Sequence, residues 1–271
     1  MRVIGRESGP LNNWTKVSNA GSNGRGSGRS IVKETCTVRV RRIDPSKGGE
    51  ATFSEYDVPR TEETSALDAL LYIRDNIDGT LAVNYSCKKQ RCGSCALEID
   101  GKVALGCFTP LRDGQTIAPL PGFSVVRDLV VDWTPYEKKL LELLPSASQE
   151  VNPIRVATKR ESEIADSAAT CIRCFSCVGA CPSVDITGPV GFAGPAISVA
   201  LASYLDTKES ARGLAESAVE AGLEFCTRCF ACNEVCPAGI DVVASIRALQ
   251  DLAAESGPEG RALKQMVRGH L

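Results

Sequence analysis

The chain has 271 residues, 43% of them hydrophobic, with 31 Lys and Arg against 33 Asp and Glu for a net charge of -2. That length and apolar content can bury two cores of ordinary size, and dispersed charge of both signs offers no electrostatic footprint for nucleic acid. A single histidine, His270, excludes a Rieske centre, a histidine-based zinc hydrolase and a Ser-His-Asp triad, and is read as a solvent-exposed residue at a helix end.

Residues 1–33 carry Gly21-Ser22-Asn23-Gly24-Arg25-Gly26-Ser27-Gly28, too polar and flexible for a core, and read as a mobile arm ordered only against a partner. No strand pattern precedes these glycines and no Gly-Lys-Ser/Thr follows, which excludes a phosphate-binding loop. Met1 to Pro10 lacks the apolar centre of a signal peptide, so the expectation is an intracellular chain with reduced thiols. From Thr35 to Ile43, Cys36, Val38 and Val40 alternate with Thr37, Arg39 and Arg41, a strand pattern; Cys36 is read as a small buried hydrophobe. Phe53 to Val58 makes a second strand. Thr64 or Ser65 caps a helix whose Leu67, Leu70, Leu71, Ile73 and Ile77 gather on one side, with Arg74 interrupting. Ala96 to Ile99, a turn at Asp100-Gly101 and Val103 to Leu105 form a hairpin that delivers Cys107.

After Asp132 the pattern is helical. Tyr136 to Leu144 is expected to pack Leu140, Leu141 and Leu144, with Pro145 ending it. Further helices are expected at Pro195 to Leu205, Ala211 to Leu223 and Val242 to Ala254. Val190 to Leu205, the most apolar stretch, is too short to cross a membrane and is broken by Gly191, Gly194 and Pro195, so it reads as a buried helix starting near Pro195.

Twelve of the thirteen cysteines form three groups. Cys87, Cys92 and Cys95 with Cys107 read C-x4-C-x2-C and a distant cysteine, the plant-type 2Fe-2S spacing. Cys171, Cys174, Cys177 and Cys181-Pro182 read C-x2-C-x2-C-x3-C-P, and Cys226, Cys229, Cys232 and Cys236-Pro237 repeat it. Such runs mark two 4Fe-4S clusters, and in two-cluster ferredoxins the last cysteine of each run serves the other cluster. The expected sets are therefore Cys171, Cys174, Cys177 and Cys236, and Cys226, Cys229, Cys232 and Cys181. Pro182 and Pro237, without an amide donor and with fixed φ, are expected to turn the chain away after each last ligand. Structural zinc explains the pattern less well, because zinc fingers use two cysteine pairs separated by a longer stretch. Around the first set, Gly93 allows close backbone approach, and Ser86 and Ser94 offer hydroxyl donors to sulfur. Lys88, Lys89 and Arg91 either stabilise an added electron or form an ordinary solvated basic loop.

The fold class expected is α+β: a β-grasp 2Fe-2S ferredoxin domain over residues 34–134, then an α-helical ferredoxin domain with two 4Fe-4S clusters over residues 135–271. From about Thr35 to Ala254 the chain resembles the iron-sulfur subunit of the succinate dehydrogenase and fumarate reductase family. The likeness rests on Arg42-Ile43-Asp44-Pro45, Leu67-Asp68-Ala69-Leu70, Ser86-Cys87, Arg91-Cys92-Gly93-Ser94-Cys95-Ala96, Val126-Arg127-Asp128-Leu129-Val130 and the order of the cysteine sets. It implies an electron-relay subunit of an oxidoreductase complex, with FAD and the dicarboxylate site on a flavoprotein partner and no substrate site or catalytic residue on this chain. Two departures qualify it. Respiratory members lack cysteine at the position of Cys229 and hold a 3Fe-4S cluster there, whereas this chain resembles archaeal and thiol-linked members with a complete 4Fe-4S cluster. The respiratory quinone site also uses a tryptophan and a histidine where this chain has Asp185-Ile186 and Thr227. The resemblance therefore implies a cysteine-rich subunit similar to heterodisulfide reductase, or a membrane-anchor subunit, as the second partner. The location implied is cytoplasmic, at the inner face of the membrane through such a partner. Two alternatives remain: the same relay for a flavoenzyme acting on another enoyl or dicarboxylic substrate, and a free ferredoxin carrier.

Overall fold

A computed structural model describes residues 34–144, 156–187, 191–206 and 211–255; the glycine-rich arm, Pro145 and His270 lie outside them. The first strand, β1 (Glu34–Ile43), pairs antiparallel with β2 (Ala51–Arg60), Val38 opposite Tyr56. The helix α1 (Ala66–Asn76) follows, and then the hairpin of β3 (Ala96–Ile99) and β4 (Lys102–Leu105). The next strand, β5 (Gln115–Pro119), runs parallel to β1 and antiparallel to β3, giving a five-stranded mixed sheet in the order β2-β1-β5-β3-β4. A short ribbon of β6 (Val125–Arg127) and β7 (Val130–Val131) closes this half. The alternation read in β1 is realised: Cys36, Val38 and Val40 are buried beneath α1 with Val58, Leu97, Ile99 and Ile117. Asp100 (φ 51°) and Gly101 (φ 74°) both take the left-handed conformation that a two-residue hairpin turn matched to strand twist requires.

Ser65 caps α1 through a reciprocal capping box with Asp68. The apolar residues of α1 do not form the single stripe expected. Leu70 and Ile73 face the sheet core, whereas Leu67 and Leu71, one helical turn apart, belong to a second core shared with the helical half. Ile77, four residues after the buried Ile73, is the C-terminal cap and is 49% exposed, because the core contacts of this face end with the helix.

The helical half contains α2 (Thr134–Leu143), α3 (Lys159–Ala169), α4 (Ser176–Gly179), α5 (Pro182–Thr187), α6 (Pro195–Ala202), α7 (Ala211–Glu220), α8 (Ala231–Glu234) and α9 (Val242–Glu255). In α2, Leu140 and Leu143 are buried, but Leu141 is 73% exposed. A helix advancing 100° per residue cannot turn Leu140 and Leu141 to one narrow seam, and Leu143 takes the place expected of Leu141. The helix α6 is buried on almost every side, with Pro195 in its first turn, and packs against α9. Among the described residues no helix is long and apolar enough to cross a membrane.

One buried ionic network secures the sheet half. Arg42 Nε donates to Asp128 Oδ1 at 2.8 Å, Nη1 to Asp78 Oδ2 at 2.6 Å and to the Tyr56 hydroxyl at 2.7 Å, and Nη2 to Thr80 Oγ1 at 3.0 Å. Asp128 also accepts from the amides of Ile43 and Ala82, so one side chain ties β1, the loop after α1 and the β6–β7 turn together. Hydrogen bonds from the Thr80 hydroxyl and amide, then from Arg42, hold the Asp78 carboxyl well below the usual carboxylate range. Asp128 has 3% of its side chain exposed and Arg42 15%. Removing one partner of such a pair leaves an uncompensated charge, so Asp128→Ala is expected to destabilise the protein by about 3–5 kcal/mol. The check is the urea midpoint at neutral pH, and a shift equivalent to less than about 0.5 kcal/mol, typical of surface substitutions, would contradict it.

Candidate iron-sulfur centres

The loop between α1 and β3 carries Cys87, Cys92 and Cys95. Its amides turn inward onto sulfur: Lys89, Arg91 and Cys92 N–H donate to Cys87 Sγ at 3.4, 3.2 and 3.3 Å, and Gln90 N–H donates to Cys107 Sγ at 3.3 Å. Left-handed backbone at Lys88 (φ 55°), Gln90 (φ 55°) and Gly93 (φ 72°) folds the loop this tightly. Cys107 is brought back by the hairpin, and its segment is pinned by α1, whose first-turn amides at Ala66 and Leu67 donate to the carbonyls of Thr109 and Gly106. All four cysteines thus meet in one loop cluster. Ser94 Oγ lies 3.1 Å from Cys92 Sγ. Ser86 is exposed and makes no hydrogen bond to a described cysteine sulfur. Lys88 lies over the Tyr85 ring, its Nζ 5.3 Å from the centroid.

The two later loops repeat each other in conformation as well as sequence. Arg173 and Phe175 (φ 53° and 57°) match Arg228 and Phe230 (φ 56° and 65°), and each phenylalanine opens a one-turn helix, α4 or α8. Pro182 begins α5, and Pro237 leads into a turn at Gly239 (φ 68°). The Asn233 side chain of α8 accepts from the Val243 amide and donates to Asp241, which anchors the second loop to the start of α9. Of the residues that distinguish the quinone site of respiratory relatives, Thr227 is exposed and the side chains of Asp185 and Ile186 lie outside those described.

Two small cavities lie at these loops. Cys171, Cys174, Cys177 and Cys236 line one, about 360 Å³ counting space open to solvent. Cys181, Cys226, Cys229 and Cys232 line the other, about 280 Å³ on the same count. Each run therefore lends its fourth cysteine to its neighbour's cavity. Burial is the main reason that the thiols of Cys171, Cys177, Cys181 and Cys226 are pushed up and that of Cys232 reaches about 12. Neighbouring thiolates add to the shift: Cys174 and Cys236 act on Cys171, Cys181 and Cys229 on Cys226, and Cys177 feels Cys232 of the other set as well as its own neighbours. In the first loop burial also pushes Cys95 to about 12. At Cys92 burial is outweighed by the Cys87 amide, the Ser94 hydroxyl and the Ser94 amide, which pull it down to about 6. Thiolate is the ligating form, so binding iron at the buried sets must expel protons.

These donor sets fit iron-sulfur clusters. Each of the two later cavities is lined by four cysteines, the donor set that a 4Fe-4S cluster takes. Amides aimed at sulfur are the donors that such a cluster uses.

The loops also touch one another. A Cβ added to Gly93 would lie 2.5 Å from Cys174 Cβ, so the first loop rests directly on the second. Behind this contact Phe175 is buried among Phe123, Trp133 and Tyr136, with ring centroids 5.9, 6.1 and 6.0 Å away. Gly179 packs on Leu120 with no room for a Cβ. By contrast Phe230, the counterpart of Phe175, is 45% exposed, as is Phe225 at 43%, and Cys229 is exposed beside them. The Arg-Cys-Phe triplet repeated in both runs is the sequence signal for this pair; only tertiary context separates a buried from an exposed copy.

Residues 37–138 match the model of a 2Fe-2S iron-sulfur cluster binding domain, and residues 167–240 that of a 4Fe-4S dicluster domain. The chain is 35% identical over 224 residues to an uncharacterized iron-sulfur protein of Methanocaldococcus jannaschii, covering 81% of this chain and 44% of that protein. It is 30% identical to a subunit of the fumarate reductase (CoM/CoB) of Methanothermobacter marburgensis, over 81% of this chain and 45% of that one. It thus spans less than half the length of these two relatives. The fumarate reductase iron-sulfur subunit of Mycobacterium tuberculosis is 32% identical over 87% of this chain and 98% of its own length. Among solved structures, a chain of the Mycobacterium smegmatis Sdh1 complex in the apo form superposes with a TM-score of 0.69 at 26% identity, over 84% of this chain and 99% of that one.

Gly93→Ala is expected to destabilise the protein by about 1–3 kcal/mol, since it places a side chain in left-handed backbone and against Cys174. Thermal unfolding of the anaerobically purified protein is the check. An unchanged midpoint would show that the loops are not in firm contact.

Proposed function

The chain belongs to the family of fumarate reductase and succinate dehydrogenase iron-sulfur subunits, and from that premise we propose that it is the electron-transfer subunit of such an oxidoreductase complex. In this reading Cys87, Cys92, Cys95 and Cys107 hold a 2Fe-2S cluster. Cys171, Cys174, Cys177 and Cys236 hold one 4Fe-4S cluster, and Cys226, Cys229, Cys232 and Cys181 hold the other. When bound, these groups accept and release one electron at a time, which lets a two-electron flavin reaction be joined to single-electron carriers. The observation that carries the reading is the pair of cavities, each lined by four cysteines, the second complete through Cys229.

The chain's own residues support an ordered path. In this reading residues 34–134 form the first unit of the relay and residues 135–271 the second. The approach of the first loop to Cys174 supports a middle position for the Cys171 set, and the exposed edge at Phe225, Cys229 and Phe230 supports the last set as the one that meets the next carrier. An FAD-containing flavoprotein subunit supplies or takes electrons at the 2Fe-2S end. A cysteine-rich subunit similar to heterodisulfide reductase, or a membrane-anchor subunit, stands at the other. The complete cysteine set at Cys229 and the likeness to the relative named for CoM/CoB favour the former. Such a chain works in the cytoplasm, reaching the membrane only through a partner.

Two experiments test this. Cys229→Ser is expected to lower the iron content of the last set while leaving the 2Fe-2S signal intact; simultaneous loss of all three clusters would contradict the assignment. The complex purified anaerobically from its host through this chain is expected to oxidise a reduced viologen dye when fumarate is added. Silence with flavin and clusters present would assign the relay to another flavoenzyme.

A further inference from the structure

One residue bridges the first and second cysteine sets. Gln90 donates its backbone N–H to Cys107 Sγ at 3.3 Å, and its side-chain Nε2 donates to the carbonyl of Pro237 at 3.4 Å, across 147 residues of sequence. Pro237 directly follows Cys236, which shares its cavity with Cys171, Cys174 and Cys177. Gln90 is half-buried and sits in left-handed backbone, φ 55°, a conformation that a non-glycine residue keeps only where its surroundings hold it.

The first loop therefore meets the second set at two points, Gly93 on Cys174 and Gln90 on Pro237. A single contact leaves a loop free to swing about it, and a second restrains that swing. Gly93 has no side chain with which to set a distance, whereas Gln90 reaches across with an amide of defined length. Its neighbours Lys88, Lys89 and Arg91 are exposed. We propose that Gln90 is a positioning residue that holds the 2Fe-2S loop at a fixed distance from the neighbouring 4Fe-4S site and so sets the rate of electron transfer between them. This rests on the relay reading above. The transfer moves one electron from one set to the next, and no bond or proton of Gln90 changes.

Gln90→Met keeps the length of the side chain and removes its donor. In the anaerobically purified protein reduced with dithionite, the enhanced spin relaxation of the 2Fe-2S signal caused by the adjacent cluster is expected to weaken, and internal electron transfer after rapid mixing to slow several-fold. The 2Fe-2S potential and the iron content should stay unchanged, because the N–H donor to Cys107 is retained. Gln90→Lys restores a donor of sufficient reach and is expected to return the coupling. Wild-type relaxation and transfer in Gln90→Met, or equal loss in the Met and Lys variants, would overturn the proposal. Should Gln90→Met fail to load its clusters, Gln90→Lys decides: normal loading and coupling support the strut, and the same failure overturns it. Absence of the 2Fe-2S and 4Fe-4S signals from the unaltered protein overturns the relay reading and the strut together, whereas normal coupling in Gln90→Met overturns the strut alone.

Discussion

The architecture of the helical half depends on the exchange of two cysteines. Cys236 sits in the cavity of the first run and Cys181 in that of the second, so neither cavity has its four sulfurs unless both loops lie side by side. That requirement fixes what surrounds them. The short helices α4 and α8 must meet, α6 must be buried between the loops and α9, and α9 must start where Asn233 and Asp241 can cap it. The left-handed Arg and Phe positions in each loop are the local cost, repeated twice, of wrapping three sulfurs within seven residues.

The same logic extends to the sheet half. The sheet needs only one face of α1 for its own core, yet Leu67 and Leu71 on another face join a core that continues into the helices. The two halves belong to one compact unit, and the first two cysteine loops meet where Gly93 leaves no space for a side chain against Cys174. Electron transfer demands short, constant distances, and a continuous core with glycine contacts provides them more reliably than a flexible linker would. The buried Arg42–Asp128 network holds the end of β1, the α1 exit and the β6–β7 turn in register.

Much of this could be read from the residues. The β1 alternation, the capping of α1, the Asp100-Gly101 turn and the buried α6 follow from local chemistry, and each appears where expected. The crossed grouping expected of the two later runs rests on their likeness to two-cluster ferredoxins, in which the last cysteine of each run serves the other cluster. Ile77 and Leu141 were misplaced for a shared reason: a helical stripe predicts a face, but only tertiary packing decides where that face ends. The contacts of Gly93 with Cys174 and Gln90 with Pro237 join distant segments, and no periodicity announces such a meeting. Asp128 shows the same limit. Its carboxylate could be recognised as part of a family motif, while its burial against Arg42 depends on a fold already formed.

The central claim is that one chain carries a continuous path of three clusters, the last of them complete. Electron paramagnetic resonance and Mössbauer spectra of the anaerobically purified protein, taken oxidised and then reduced, test it most directly. The account predicts one 2Fe-2S and two 4Fe-4S clusters, with no 3Fe-4S signal in the oxidised state. A stoichiometric 3Fe-4S signal in protein never exposed to air, or zinc in place of iron at either later set, would contradict it.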